Sequence, residues 1–98
     1  MTLREPWHPV KDGPTAQALA DELARELSKD HPLFGVKAVA LARRAGNDDV
    51  LFRLLDGSGR LAVVHLTWRG NGEPPSWPRA TLYAGADEWE AQARHNET

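Results

Sequence analysis

The chain contains no cysteine, which removes disulfides, thiolate nucleophiles and cysteine-based zinc sites from consideration. No uninterrupted apolar run approaches the roughly 18 residues that a membrane-spanning helix needs. The first residues lack the apolar core of a signal peptide. Basic and acidic residues are nearly balanced, 12 against 14, so no strong field of one sign attracts nucleic acid or anionic lipid. We therefore expect a cytoplasmic protein that binds neither membranes nor nucleic acids.

What the chain does contain is the composition of one soluble domain. Its 98 residues are 41% apolar and 27% charged, close to the averages of globular proteins. A chain of this length buries roughly two thirds of its unfolded surface, enough for one modest core. We predict a single domain over residues 1–98, with an extended lead-in at 1–13 and a long loop at 69–80.

The most regular pattern begins after Pro14, where apolar residues recur at helical spacing from Thr15 to about Asp30. Three segments rich in Val, Leu and Phe follow, separated by short glycine-bearing turns that favour antiparallel hairpins. The predicted strands are Val36–Ala45, Val50–Asp56, Arg60–Trp68 and a short Thr81–Ala84, and the second predicted helix is Ala86–Arg94. The predicted fold class is α+β, with an N-terminal helix packed on a three- to four-stranded antiparallel meander sheet and a short C-terminal helix.

Alternation along the predicted strands assigns residues to two faces of the sheet. With a short turn at 46–49 and a three-residue loop at 57–59, one apolar face would receive helix 1: Val39, Leu41, Val50, Phe52, Leu54, Ala62, Val64, Leu66 and Trp68. The opposite face is too apolar to be fully solvated, and we expect either helix 2 or a partner to cover it.

The densest group of functional residue types is His65-Leu66-Thr67-Trp68, with Glu73 and Trp77 downstream. A histidine and a glutamate near a hydroxyl can support general acid–base chemistry, so a pocket of His65, Thr67 and Glu73 is one hypothesis. No nucleophile and no third group to orient the His65 ring is evident, so a structural histidine is the simpler interpretation.

Metal binding needs at least three convergent ligands. The four histidines are scattered without metal-ligand spacing, at His8, His31, His65 and His95. We therefore predict no metal site and no cofactor.

Four tryptophans are many for a chain of 98 residues. Large aromatic side chains contribute strongly both to protein cores and to binding hot spots. We expect Trp68 and Trp89 to lie in the core. Trp77 lies between Ser76 and Pro78 in a polar, proline-rich segment, so it is the best exposed anchor for a partner. The alternative is that Trp77 folds back and caps the edge of the sheet.

Three strings of the sequence carry a family resemblance: Asp48-Asp49-Val50-Leu51-Phe52, then Val63-Val64-His65-Leu66-Thr67-Trp68, then Trp77-Pro78 with Thr81-Leu82-Tyr83. Together they resemble a family of small, functionally uncharacterised bacterial proteins over about residues 31–90. The resemblance implies a stand-alone bacterial domain. It assigns no catalytic residue.

Three hypotheses about function follow. The leading one is a non-enzymatic binding protein, of the immunity or regulator type by size, whose candidate binding residues are His65, Thr67, Trp68, Glu73 and Trp77. The alternative is a small enzyme or small-ligand-binding protein that uses the pocket of His65, Thr67 and Glu73. The third is a homodimer formed through one face of the sheet, with Leu51, Leu55, Leu61 and Val63.

Overall fold

A computed structural model describes residues 3, 5–11, 13–27, 29–46, 48–67 and 80–96, with side chains through residue 92. Two helices and a five-stranded antiparallel sheet make up this part of the chain, so the α+β class is confirmed and the predicted number of strands was too low. The elements are β1 (Trp7–Pro9), α1 (Pro14–Glu26), β2 (Ala38–Arg44), β3 (Asp49–Leu54), β4 (Leu61–His65), β5 (Ala80–Tyr83) and α2 (Ala86–Asn96). The strands lie in chain order, β1-β2-β3-β4-β5.

Helix α1 begins at Pro14, whose missing N–H costs nothing in the first helical turn. Its buried residues share one stripe, and this stripe contacts the face of the sheet that carries Phe52 and Val64. The helix ends at Glu26, earlier than the predicted Asp30. Leu27 is already extended, and both Leu27 and Leu33 reach the same core from the connecting segment. In that segment His31 is buried, and its Nδ1 accepts the Leu33 amide at 3.0 Å.

The hairpin between β3 and β4 has the predicted faces but a different register. Arg53 pairs with Leu61, so the connection is longer than the three-residue loop predicted at 57–59. Gly57 and Gly59 both adopt positive φ in it, +85° and +73°, as glycine does most readily. The register differs from the predicted one by two residues. A shift of two residues leaves every side chain on its predicted face, because the period of a strand is two.

The predicted faces of β2 are wrong in its first half. Ala40 pairs with Phe52 whereas Ala42 pairs with Leu51, so the register shifts at Leu41. A bulge of this kind reverses the alternation on one side of it. Ala40 therefore lies in the core under α1, and Leu41 packs on the opposite face, contrary to the prediction for Leu41.

The strand missing from the prediction is β1, which lies within the predicted extended lead-in. Two prolines flank Trp7 and His8, and the sequence therefore predicts an irregular segment, because proline has no backbone N–H to donate to a neighbouring strand. An edge strand tolerates this loss. β1 forms that edge, pairing with β2 from Trp7 opposite Arg44 to Pro9 opposite Ala42.

The second face of the sheet is covered within the chain. Trp89 of α2 and Trp7 of β1 are both buried against Leu51 and Leu61, which confirms the expectation that Trp89 lies in the core. The four residues predicted to form an open dimer face do not share one. Leu51 and Leu61 are buried and Val63 is partly buried, while Leu55 is 56% exposed beside a different part of the surface.

Neither α1 nor α2, as far as the structure describes the chain, combines the length and apolar character that crossing a membrane requires.

Candidate functional site

His65 ends β4 and contacts the carboxylate directly opposite it on β3. Its Nδ1 lies 2.9 Å from Oδ1 of Asp49, and the two residues are register partners. The His65 side chain is 45% exposed, so it is not sealed in apolar packing. A carboxylate on Nδ1 orients the imidazole and leaves the other ring nitrogen for a further partner.

Two more polar side chains surround this pair. The guanidinium of Arg44 lies 4.0 Å from Oδ2 of Asp49, a distance at which an exposed ion pair stabilises little. Tyr83 has a raised pKa, because burial disfavours the phenolate and because the negative charges of Glu88 and Asp49 act in the same direction. Asp49 therefore contacts His65 of β4 and lies near Arg44 of β2.

Thr67, the second residue predicted for the pocket, has a different environment. Its backbone amide donates to Oε1 of Glu26 at 2.7 Å, and Glu26 is a fully buried residue of α1. The His65 contact lies on the face that carries α2, whereas the Glu26 contact comes from the face that carries α1. His65 and Thr67, two residues apart in the sequence, therefore have their hydrogen-bond partners on opposite sides of the sheet. The remaining predicted residues, Trp68, Glu73 and Trp77, lie outside the described residues.

The Asp49–His65 pair offers an oriented base but no metal centre. In the described part of the chain, no group of three or more histidine, aspartate or glutamate side chains could hold a metal ion. A base oriented by a carboxylate is what general acid–base chemistry requires of a histidine. The orienting group that the sequence did not reveal is Asp49, because the register that pairs it with His65 depends on the length of the β3–β4 loop.

A second feature is an apolar groove of about 560 Å³ between α1 and the segment that leads into β2. Its apolar lining on the side of α1 comes from Ala20, Leu23 and Ala24, with Leu27 just beyond the end of the helix, and Gln17 and Asp21 add polar groups to that side. The volume falls within the range of known small-ligand and peptide-binding clefts.

Two large apolar side chains lie exposed at this groove. Phe34 is 50% exposed and Leu55 is 56% exposed, and both line the groove. Leu55 is brought there by the backbone, since its amide donates to the carbonyl of Lys37 at 2.7 Å. An exposed apolar cluster in a concave surface is typical of a binding site.

One charge of each sign lies on the described lining of the groove. Asp21 of α1 accepts a hydrogen bond from Gln17 at 2.9 Å, and Lys37 lies on the opposite wall. This groove was not predicted from the sequence. The signal that could have indicated it is Phe34 beside Gly35, a large apolar residue in a turn with no helical or strand periodicity.

Comparisons of the chain with protein-family models, with curated protein sequences and with solved structures find no match. The resemblance to a family of small bacterial proteins stays a prediction.

Proposed function

We propose that this protein is a small non-enzymatic interaction protein that recognises its partner through the groove beside α1. The observation that carries the proposal is the joint exposure of Phe34 and Leu55 at one concave apolar surface. Exposed large apolar groups are unfavourable in water, and a few buried anchors supply most of the free energy of a protein interface. The immunity- or regulator-like role remains part of this hypothesis, resting on the size of the chain.

The experiment is affinity capture from a lysate of the source cells with the partner identified by mass spectrometry. The test variant is Phe34→Ser combined with Leu55→Ser, which removes both anchors from the groove. The matched control is Leu82→Ser, because Leu82 is 40% exposed on β5 and does not line the groove. We expect the double variant to lose the partner and Leu82→Ser to retain it, with both melting within a few degrees of the wild type.

A partner retained by the double variant would reject the groove as the recognition surface. Trp77→Ala and Glu73→Gln belong in the same experiment, because the sequence favours the segment 69–80 as the recognition element. Loss of the partner in these two variants alone would move the interaction to that segment.

The Asp49–His65 contact supports a second candidate function, a small enzyme or small-ligand-binding protein with His65 as its base. An activity screen over ester, amide and phosphate substrates tests it, with His65→Gln and Asp49→Asn as the test variants. His8→Gln is the matched control, because His8 is an exposed histidine of β1. An activity that survives His65→Gln would exclude His65 from the chemistry.

A further inference from the structure

We infer that the partner of the groove is a second copy of this chain, docked about a two-fold axis that runs parallel to the groove. This inference rests on the proposed function and names the partner. In a two-fold interface a residue i of one copy meets a residue j of the other, and j meets i, so the surface must complement itself. The surface differs from the sheet face first predicted for a homodimer, of which Leu55 alone lines the groove.

The first observation is that the two walls of the groove differ in the size of their accessible apolar groups. On the side of α1 these groups are alanines, the half-buried Ala20 and the exposed Ala24. The opposite wall presents the exposed side chains of Phe34 and Leu55. A two-fold axis parallel to the groove places each wall of one copy against the other wall of its partner. The large side chains of each copy then pack on the small ones of the other, as close packing requires.

The second observation is that the charges of the groove complement themselves under the same rotation. Asp21 lies on the α1 wall and Lys37 on the opposite wall, and both are exposed. In the described part of the chain neither residue forms an ion pair. When the walls are exchanged, each Asp21 faces Lys37 of the other copy, and the dimer gains two contacts between opposite charges. An axis perpendicular to the groove would bring each charge against its like.

The balance of charge also bears on the choice of occupant. One charge of each sign on the described lining gives the groove no preference for a strongly acidic or a strongly basic partner. A second copy carries the matching pattern of one acidic and one basic group at the required places. The apolar contacts then supply affinity, whereas the two charge pairs fix the orientation of the copies.

The extent of the groove predicts a weak dimer. Its lining is confined to one side of α1, the segment from Phe34 to Ala38, and Leu27 and Leu55. This is fewer residues than the roughly 20–30 per partner that an interface of standard size uses. We therefore expect a dissociation constant on the order of 10–100 μM.

Sedimentation equilibrium of the whole protein tests whether the dimer exists and uses the groove. Between about 10 μM and 1 mM the average mass of the wild type should rise toward twice that of one chain. Phe34→Ser combined with Leu55→Ser should stay at the mass of one chain. Leu82→Ser is the matched control and should dimerise like the wild type, because Leu82 is exposed outside the groove.

A mixture of two charge-reversed variants tests the axis. Asp21→Lys sets lysine against lysine at both contacts, and Lys37→Asp sets aspartate against aspartate. Each variant alone should therefore dimerise at least about tenfold more weakly than the wild type. In an equimolar mixture opposite charges meet again at both contacts of the mixed dimer, which should recover most of the wild-type affinity. A contact between Asp21 and Lys37 within one chain would not be restored by mixing.

The matched controls for charge reversal are Asp48→Lys and Lys11→Asp. Both positions are exposed and neither lines the groove, so each variant alone should dimerise like the wild type. A melting temperature within a few degrees of the wild type confirms that each variant is folded.

The outcomes separate this inference from the proposed function. A wild type that keeps the mass of one chain up to about 1 mM overturns the second copy as partner. Capture of a different protein that depends on Phe34 and Leu55 would in that case still support the groove. A dimer that persists in the double serine variant overturns the inference, because it does not use the groove. Charge-reversed variants that dimerise normally, or that fail to recover on mixing, reject the pairing of Asp21 with Lys37 and the axis inferred from it.

Discussion

Trp7 and Trp89 meet edge to face, with their ring centroids 5.6 Å apart and their planes at 80°. One ring comes from the first strand and the other from the last helix, so the contact joins the two ends of the chain over the second face of the sheet. Both side chains are buried against Leu51 and Leu61. The second face of the sheet, which we expected α2 or a partner to cover, is therefore covered at Leu51 and Leu61 by Trp7 and Trp89 of the same chain.

This contact predicts coupling between the two tryptophans. Trp7→Leu and Trp89→Leu should each lower the free energy of unfolding. The decrease in the double variant should be about 0.5–1.5 kcal/mol smaller than the sum of the two single decreases, because an edge-to-face pair contributes that much beyond burial. Urea denaturation of the four proteins measures the free energy of unfolding. As a control, Trp7→Leu combined with Leu82→Ser should be additive within about 0.5 kcal/mol. Additivity of the two tryptophan substitutions would contradict the contact.

The sequence predicted those parts of the fold that depend on local pattern. Helix α1 follows from its apolar stripe after Pro14, and the two faces of β3 and β4 follow from alternation. The predicted faces of β3 and β4 are correct although the predicted loop length is not, because the register differs by two residues, an even number. The single inserted residue at Leu41 has no local signature in a run of alanine, valine and leucine, and it reversed the faces of β2 before it.

The Asp49–His65 pair and the groove were less predictable, because both depend on contacts between residues that are distant in the sequence. His65 was recognised, but its partner Asp49 is 16 residues away and becomes a neighbour only in one register of the β3–β4 hairpin. Phe34 and Leu55 are 21 positions apart in the sequence, and both line the groove because the bond from the Leu55 amide to the Lys37 carbonyl holds Leu55 beside this segment. Contacts between distant residues depend on tertiary packing, which composition and periodicity do not encode.

Glu26 provides a test of how α1 is joined to the far side of the sheet. Its carboxylate is fully buried and accepts the amide of Thr67, 41 residues away. Glu26→Ala should lower the free energy of unfolding by about 1–3 kcal/mol, because the partly buried amide of Thr67 loses its acceptor. Glu26→Gln should cost less, since the amide oxygen still accepts.

The control for Glu26 is Asp30→Ala, an exposed position just beyond α1. It should change the free energy of unfolding by no more than about 0.5 kcal/mol. Equal effects of Glu26→Ala and Asp30→Ala would show that the contact between Glu26 and Thr67 contributes nothing measurable.

The turn between β3 and β4 predicts a pH dependence. Hydrogen bonds from the hydroxyl and the amide of Ser58, followed by that from Arg60, lower the pKa of Asp56 from 3.8 to about 2. Because the folded state favours the carboxylate, its contribution to stability is complete above pH 3.8 and disappears as the pH falls toward 2. Asp56→Asn should therefore melt below the wild type at neutral pH, and the difference should vanish on acidification.

Ser58→Ala separates the causes of this shift. It removes the hydroxyl and keeps the amide, which donates to Oδ1 of Asp56 at 3.0 Å. The pKa of Asp56, followed by NMR titration of its carboxyl carbon, should rise part of the way toward 3.8. An unchanged pKa in Ser58→Ala would mean that the hydroxyl does not contribute.

Tyr83 reports directly on the geometry around Asp49. It is the single tyrosine of the chain, so phenolate formation followed by ultraviolet absorbance measures this residue alone. Burial, then the charge of Glu88, then that of Asp49 raise its pKa above 10.0. Removing a negative charge stabilises the phenolate, so Glu88→Gln and Asp49→Asn should each lower the pKa, with the larger effect for Glu88→Gln.

Because burial is the largest of the three causes, the pKa of Tyr83 should stay above 10.0 even when both carboxylates are removed. Asp56→Asn is the control, since Asp56 is not among the residues that shift Tyr83. A pKa that does not respond to Asp49→Asn would place Asp49 away from Tyr83.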